Sequence, residues 1–278
     1  MILPELLPVL AIHLYALGTV AVVAGILARR DWLKRAALGL TVLAFVAHSL
    51  LLCLELWNQG FATRSVYVQL LAWCITLGGL VAWARWTRWR YDALLLIVAP
   101  LSLITFLVAL LLRHAEVPLP PVLSMMTFSI HIGAIFLSIG LMALAFGAAL
   151  LFLLQERTIK SKAKLAGFQK DLPALSALDK VNAVTTVLGF PLFTVGVLFG
   201  FVSARLTWGT LLTGDPKERV SLIVLALYGW LFHQRLTQGW QGRKPAVLAL
   251  WIFAVCAFSL IVVNLFMTTH HSFLTTPR

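Results

Sequence analysis

Residues 93–112, ALLLIVAPLSLITFLVALLL, form an uninterrupted apolar run without a charged side chain. An α-helix rises about 1.5 Å per residue, so this run would extend about 30 Å, which is the thickness of the hydrocarbon core of a bilayer. Strands of a membrane β-barrel would be about ten residues long with alternating polarity, and no run in this chain alternates in that way. The stretch therefore predicts a transmembrane helix.

Seven further runs of similar composition lie on either side of this one. Hydrophobic residues make up 61% of the 278 residues and charged residues 12%, against roughly 45–50% and about 25% in soluble domains. This composition excludes a soluble globular domain, a coiled coil and a disordered chain. We predict an all-α, polytopic membrane helix bundle of eight transmembrane helices, at 6–28, 36–57, 66–84, 93–112, 123–155, 181–203, 219–236 and 246–268.

The basic residues predict the orientation of this bundle. A net charge of +12 could indicate nucleic acid, but the charges stand in short clusters between apolar runs, so we expect no nucleic-acid partner. Sixteen of the 22 lysines and arginines fall in 29–35, 85–92, 156–180 and 235–245, all on one side. The positive-inside rule puts that side in the cytoplasm and both termini outside. We expect a multi-pass protein of the bacterial cytoplasmic (inner) membrane, with the lipid bilayer as its partner and no removable signal peptide.

The longest polar stretch, Arg157 to Lys180, mixes lysines with apolar residues. This mixture predicts an amphipathic segment on the inner membrane surface, with anionic lipid or a cytoplasmic protein as its partner. The apolar residues concerned are Leu165, Phe168, Leu172, Leu175 and Leu178.

Six of the seven histidines fall in the outer half of the predicted bundle or near its middle. His13, His48, His114, His131, His270 and His271 form this group, and His233 alone lies toward the cytoplasmic end. Neutral imidazole is a common ligand of metals, including haem iron. Solvated histidines near the interface and hydrogen bonds between helices are equally open explanations. No HExxH or zinc-type spacing and no nucleophile–base pair is visible, so we do not expect an enzyme.

Between the sixth and seventh runs, residues 206–218, LTWGTLLTGDPKE, mix glycine, threonine, aspartate and proline. This composition predicts an irregular loop on the outer side. The loop contains Trp208 and Asp215.

Several segments resemble the cytochrome c assembly (CcsA-like) family of haem-handling membrane proteins. Residues 188–200, LGFPLFTVGVLFG, resemble the family's GFPLLTxGxxxG helix, and residues 207–218 keep the frame of its motif WGxYWxWDPKE. Residues 230–246, WLFHQRLTQGWQGRKPA, are similar to WLxxxxLHxRxxxGWRGRRAA, and HHSF at 270–273 is similar to the family's C-terminal LHSY. The chain looks closest to the smaller YpjD/HemX-type members.

The resemblance implies a four-helix membrane segment at 1–124, followed by a cytochrome c assembly-like segment at 125–275 within one membrane unit. It also implies a haem-binding role in cytochrome c maturation, with haem b as cofactor and other cytochrome c biogenesis or haem-metabolism proteins as partners. By resemblance, His131 and His271 would ligate the iron near the outer face, beside Trp208 and Asp215. His233 matches a deeper haem site, for which His48 is the candidate partner.

Two tryptophans of the family's loop motif are replaced here by Leu212 and Gly214. This departure, together with the basic loop 156–180, leaves open a second reading. It is a regulatory or scaffold membrane protein of the same fold that does not ligate haem. A transporter is disfavoured, because midplane carboxylates and repeated broken helices are absent from the sequence.

Overall fold

The computed structural model describes residues 3–60, 63–85, 92–113, 126–161 and 172–263. All the long elements in these ranges are α-helices, which confirms the predicted all-α class. They are α1 (Leu3–Leu27), α2 (Asp31–Gln59), α3 (Arg64–Arg85), α4 (Asp92–Leu111), α5 (Met126–Lys160), α6 (Leu175–Trp208), α7 (Pro216–Thr237) and α8 (Arg243–Phe258), which continues as a π-helical turn at Ser259–Val263.

Seven of these helices are long and apolar enough to cross a membrane, so the chain is a multi-pass membrane protein. The remaining one is α7, which begins with Pro-Lys-Glu-Arg and carries His233, Gln234 and Arg235 in its last two turns. Composition therefore supports seven of the eight predicted spans. The eighth span and the outward placement of both termini stay predictions.

Helix α5 is at the centre of the bundle. It packs along α6 over much of its length and also contacts α3, α4 and α8. On the N-terminal side, α1 packs against α2 and α4, and α3 packs against α4. The largest apolar core runs from Tyr67 on α3 to Cys256 on α8. The division into 1–124 and 125–275 stays a prediction, and this core is continuous across it.

The prediction of a surface-lying segment at 157–180 is wrong for its second part. Helix α5 continues to Lys160, and α6 begins already at Leu175. Leu172 and Leu178 are buried in the largest core, because their side chains pack inside the bundle rather than on the membrane surface. Leu165 and Phe168 lie outside the described residues.

An ionic cluster joins α6, α7 and α8 at the end of the bundle that carries most of the basic residues, here called the basic end. The guanidinium of Arg235 lies 2.9 Å from Asp179 Oδ1 and donates to Asn182 Oδ1 at 2.7 Å and to the Trp240 carbonyl at 2.9 Å. The Asp179 carboxylate also accepts from the backbone N–H of Gly242 at 3.0 Å. These contacts hold the connection between α7 and α8 against the start of α6.

The opposite end of α7 is fixed by a helix cap. Asp215 is the N-cap residue, and its carboxylate accepts from the backbone N–H of Lys217 at 2.8 Å. Pro216 occupies the first helical position, where the missing N–H costs nothing. The sequence Asp-Pro-Lys-Glu therefore sets the residue at which α7 begins, and the irregular loop spans only residues 209–215.

We expect Asp215→Ala to destabilise the protein by about 1 kcal/mol, because it removes a side-chain acceptor from the first turn of α7. Asp215→Asn keeps an acceptor oxygen and should retain most of the stability. The thermal unfolding midpoint of the detergent-purified protein, followed by intrinsic fluorescence, measures the difference. Equal midpoints for the alanine and asparagine variants would contradict the capping role.

We expect Asp179→Asn to cost about 3–5 kcal/mol, because the side chain of Arg235 is only 4% exposed and would lose its counter-charge. The matched control is Arg243→Gln, which breaks an ion pair with Glu156 at 3.1 Å. Arg243 is 62% exposed, so its loss should cost at most about 1 kcal/mol. The same fluorescence-detected melting would show the two pairs to be unequal, and similar losses would refute this ranking.

Candidate functional site

His131 lies on the second turn of α5, at the end of the bundle opposite the basic end. Its Nδ1 is 2.6 Å from the carbonyl oxygen of Gly196 on α6. A carbonyl oxygen can only accept, so Nδ1 carries the proton in this contact and Nε2 carries the lone pair. The ring of Phe128 flanks the imidazole, with centroids 6.3 Å apart. In the neutral imidazole this contact therefore favours the tautomer in which Nε2 can bind a metal.

Two glycines of α6 make room for α5 at this point. A Cβ on Gly200 would lie 2.8 Å from Cε1 and Nδ1 of His131, and a Cβ on Gly196 would lie 2.6 Å from Cγ1 of Ile135. Both distances are too short for real atoms, so the side chains cannot keep these positions unless residues 196 and 200 are glycines. The Gly196-x-x-x-Gly200 spacing puts both residues on one face of α6. We call this recess, formed by Gly196 and Gly200 against His131, the glycine slot.

The loop at 209–215 lies at the same end of the bundle. It follows Trp208, the last residue of α6, where Gly209 adopts a left-handed conformation and donates its N–H to the Arg205 carbonyl at 3.0 Å. The side chain of Glu218 accepts from the backbone N–H groups of Thr213 and Gly214 at 2.9 and 3.1 Å. The loop is therefore fixed by the first turn of α7. The exposed apolar side chains here are Trp208 at the end of α6 and Leu211 and Leu212 in the loop.

Asp215 and Lys217 are two charged residues at the C-terminal end of this loop. Asp215 is buried and caps α7, so its carboxylate serves the loop geometry. Burial lowers the pKa of Lys217 to about 7, while the negative charge of Asp215 acts in the opposite direction. The first turn of α7 therefore carries less positive charge near neutral pH than its sequence suggests.

His48 is fully buried among α1–α4. Its Nδ1 is 3.1 Å from the hydroxyl of Tyr15, and the hydroxyl of Thr76 lies 3.2 Å from that of Tyr15. Thr76 in turn contacts Ser102 at 2.8 Å. Each of the four helices α1–α4 contributes one residue to this chain of contacts, which we call the polar core. His48 Nε2 is buried without a hydrogen-bond partner in the described part of the chain.

His233 has the opposite environment. It is exposed on α7, and its Nε2 lies 3.2 Å from the hydroxyl of Thr237 one turn later. His48 is seventeen residues from the start of α2, a rise of about 25 Å from the basic end, whereas His233 is only about 6 Å from the end of α7. Phe106 covers the ring of His48, with centroids 4.5 Å apart. The structure does not bring His48 and His233 together.

The second histidine expected beside His131 is His271, which lies outside the described residues, as do His114 and His270. Helix α8 ends on the side of the bundle where α5 begins, since α5 to α8 alternate in direction. The last described residue is Val263, so seven residues lie between it and His271. His13, by contrast, is exposed on α1 and contacts the Val9 carbonyl of its own helix at 2.6 Å.

Sequence reasoning missed three sets of contacts at these places. The glycine slot could have been suspected from the Gly196-x-x-x-Gly200 spacing, which is typical of close helix packing. The polar core could not be recognised from the sequence, where Tyr15, Thr76 and Ser102 are single hydroxyl-bearing residues in separate apolar runs. For the Arg235–Asp179 pair, the count of basic residues covers Arg235 only, and the signal available was Asp179 as an acidic residue in a strongly basic stretch.

The sequence of this chain is similar to those of several cytochrome c biogenesis proteins. The chain is 31% identical over 232 residues to the cytochrome c biogenesis protein CcsA of Chlamydomonas reinhardtii. The aligned region covers 80% of this chain and 64% of that protein. The corresponding protein of Guillardia theta is 28% identical over 258 residues, or 84% of each chain. That of Trichodesmium erythraeum (strain IMS101) is 43% identical over 96 residues, which cover 34% of this chain and 27% of that protein.

The family described as cytochrome C assembly protein matches residues 64–271. The match begins at the start of α3, includes α5 to α8 and the loop at 209–215, and covers about three quarters of the 278 residues. This chain therefore belongs to the cytochrome c assembly family.

Proposed function

We propose that this protein binds haem b near the outer face of a bacterial cytoplasmic membrane and handles it for cytochrome c maturation. Membership of the cytochrome c assembly family gives the general role. The observation that carries the site is the contact between His131 Nδ1 and the Gly196 carbonyl, because it favours the neutral tautomer in which Nε2 is the metal-binding nitrogen. In this proposal His131 and His271 would hold the haem iron.

The donor set fits such a group. An imidazole that donates its other N–H to a carbonyl is the usual arrangement of a metal-bound histidine. When bound, haem supplies redox-active iron whose potential depends on its axial ligands. The chain's own residues bind and orient the haem. His131 is held by α6, and the apolar side chains of Trp208, Leu211 and Leu212 offer a surface for the porphyrin at the same end.

Asp215 acts on this site through the loop rather than by contact with haem, since its carboxylate is buried and occupied by the cap of α7. We propose the same indirect role for Glu218, which holds the backbone of Thr213 and Gly214. The loop would then hold its apolar side chains in a fixed position relative to the end of α6.

A deeper haem shared by His48 and His233 is not supported by this geometry, because the two rings differ in depth and His48 is enclosed by Tyr15 and Phe106. We propose instead that His48 belongs to the polar core and ties α1–α4 together. His233, exposed on α7, would face lipid or a neighbouring membrane protein.

One observation favours the scaffold function as the second candidate. Gly214 has φ +77°, a conformation that costs a bulky residue such as tryptophan free energy. Together with Leu212, this glycine reduces the aromatic surface of the loop. In that reading the fold persists as a scaffold for other cytochrome c biogenesis proteins, and haem is not ligated.

We expect the detergent-purified protein to take up haem b with the Soret and α/β bands of bis-histidine iron, and both His131→Ala and His271→Ala to weaken these bands severalfold. Each variant removes one axial ligand, so the reduced spectrum should change to that of a five-coordinate or weakly ligated iron. Absorption spectroscopy of the oxidised and reduced protein measures this.

The matched controls are His13→Ala and His233→Ala, which remove exposed histidines on α1 and α7. Both should keep the spectrum of the unmodified protein. A protein that remains colourless after incubation with haem would rule out the haem function and favour the scaffold. Equal losses in all four variants would contradict the assignment of the ligands.

A further inference from the structure

We propose that the glycine slot is a positioning device for His131. The Gly196 carbonyl selects the tautomer of the imidazole, and the absent side chain of Gly200 selects its orientation. This inference rests on the proposed function, in which His131 is an axial ligand. It assigns to α6 a role in ligation that the histidine positions alone do not indicate.

The tautomer follows from hydrogen-bond chemistry. An isolated neutral imidazole can carry its proton on either nitrogen, and only the unprotonated nitrogen can bind iron. The Gly196 carbonyl, 2.6 Å from Nδ1, can accept a hydrogen bond and cannot donate one. It therefore favours the form in which Nε2 is the donor atom toward iron. A bond of this kind also makes the imidazole a stronger ligand.

The orientation follows from the space at Gly200. A Cβ there would meet Cε1 and Nδ1 of His131 at 2.8 Å, and Nε2 at 3.7 Å. These atoms form the end of a side chain that can rotate, so the ring would turn away while the helix backbones keep their places. At Gly196 the added Cβ would also lie 3.0 Å from the backbone nitrogen of Ile135, which would separate the helices. Gly200 is thus the position at which ligand geometry can be altered with the fold retained.

The chain offers a matched control on α5. Gly133 lies two residues after His131, and a Cβ there would meet no other atom within 4 Å. Gly133→Ala makes the same chemical change as Gly200→Ala in open space. Any effect of a glycine-to-alanine change on helix propensity alone appears in this control as well.

The first test compares the two alanine variants. In haem-free protein labelled with 15N-histidine, we expect NMR to show His131 protonated on Nδ1 in the unmodified protein and in Gly133→Ala. Gly200→Ala should lose this single-tautomer signal. After haem is added, Gly200→Ala should bind it at least about tenfold more weakly, the usual effect of removing an outer-shell contact, while Gly133→Ala should match the unmodified protein.

A second test needs no alanine at Gly200. His131→Gly should empty the slot, and an added small imidazole should restore the haem spectrum. We expect 4-methylimidazole, which keeps an N–H for the Gly196 carbonyl, to restore it. Its isomer 1-methylimidazole can also bind iron but has no N–H, so it should restore the spectrum far less.

Equal rescue by the two isomers, or a Gly200→Ala variant with unchanged tautomer signal and haem affinity, would overturn the positioning role and leave the haem proposal standing. Unmodified protein that binds no haem would overturn the haem proposal. The 15N signals of His131 in the haem-free protein would then still decide whether the slot fixes the tautomer.

Discussion

Helices α5 and α6 approach so closely that a main-chain oxygen of one reaches an imidazole of the other, and the rest of the site depends on this contact. Two apolar helices gain little hydrophobic free energy from association in lipid, so packing and hydrogen bonds hold them together. Gly196 and Gly200 allow the packing, and Ser138 adds a hydrogen bond to the Gly189 carbonyl at 2.8 Å. The packing of α5 on α6 therefore also brings the Gly196 carbonyl to the imidazole of His131.

The helical fold could be predicted from composition and run length, because lipid leaves few alternatives to a helix for a spanning segment. The prediction fails where apolar residues in a polar stretch of sequence are buried in the bundle. Leu172 and Leu178 stand among lysines, and nothing local indicates that they turn into the core rather than onto a membrane surface. Helix α7 is long enough to span a membrane, but its ends are polar. Its own composition therefore does not decide whether it crosses the membrane.

In the candidate site, too, some features could be predicted from the sequence and others could not. His131 could be selected from the sequence because histidine is a recognisable ligand type and the surrounding segments resemble a family. Its hydrogen-bond partner could not, since every residue has a main-chain carbonyl and only the packing of α5 on α6 decides which one is near. The polar core is a similar case. Tyr15, His48, Thr76 and Ser102 are far apart in the chain, and the low dielectric of the bundle interior requires that they find one another.

The left-handed backbone of Gly214 has a consequence for comparing members of the family. A tryptophan at that position, as in the WGxYWxWDPKE motif, would resist the same torsion angle, and the Glu218 contact to the Gly214 N–H depends on it. In this chain, the main-chain path between Trp208 and the Asp-Pro-Lys-Glu cap is therefore matched to glycine at position 214, and an aromatic side chain there would need a different path.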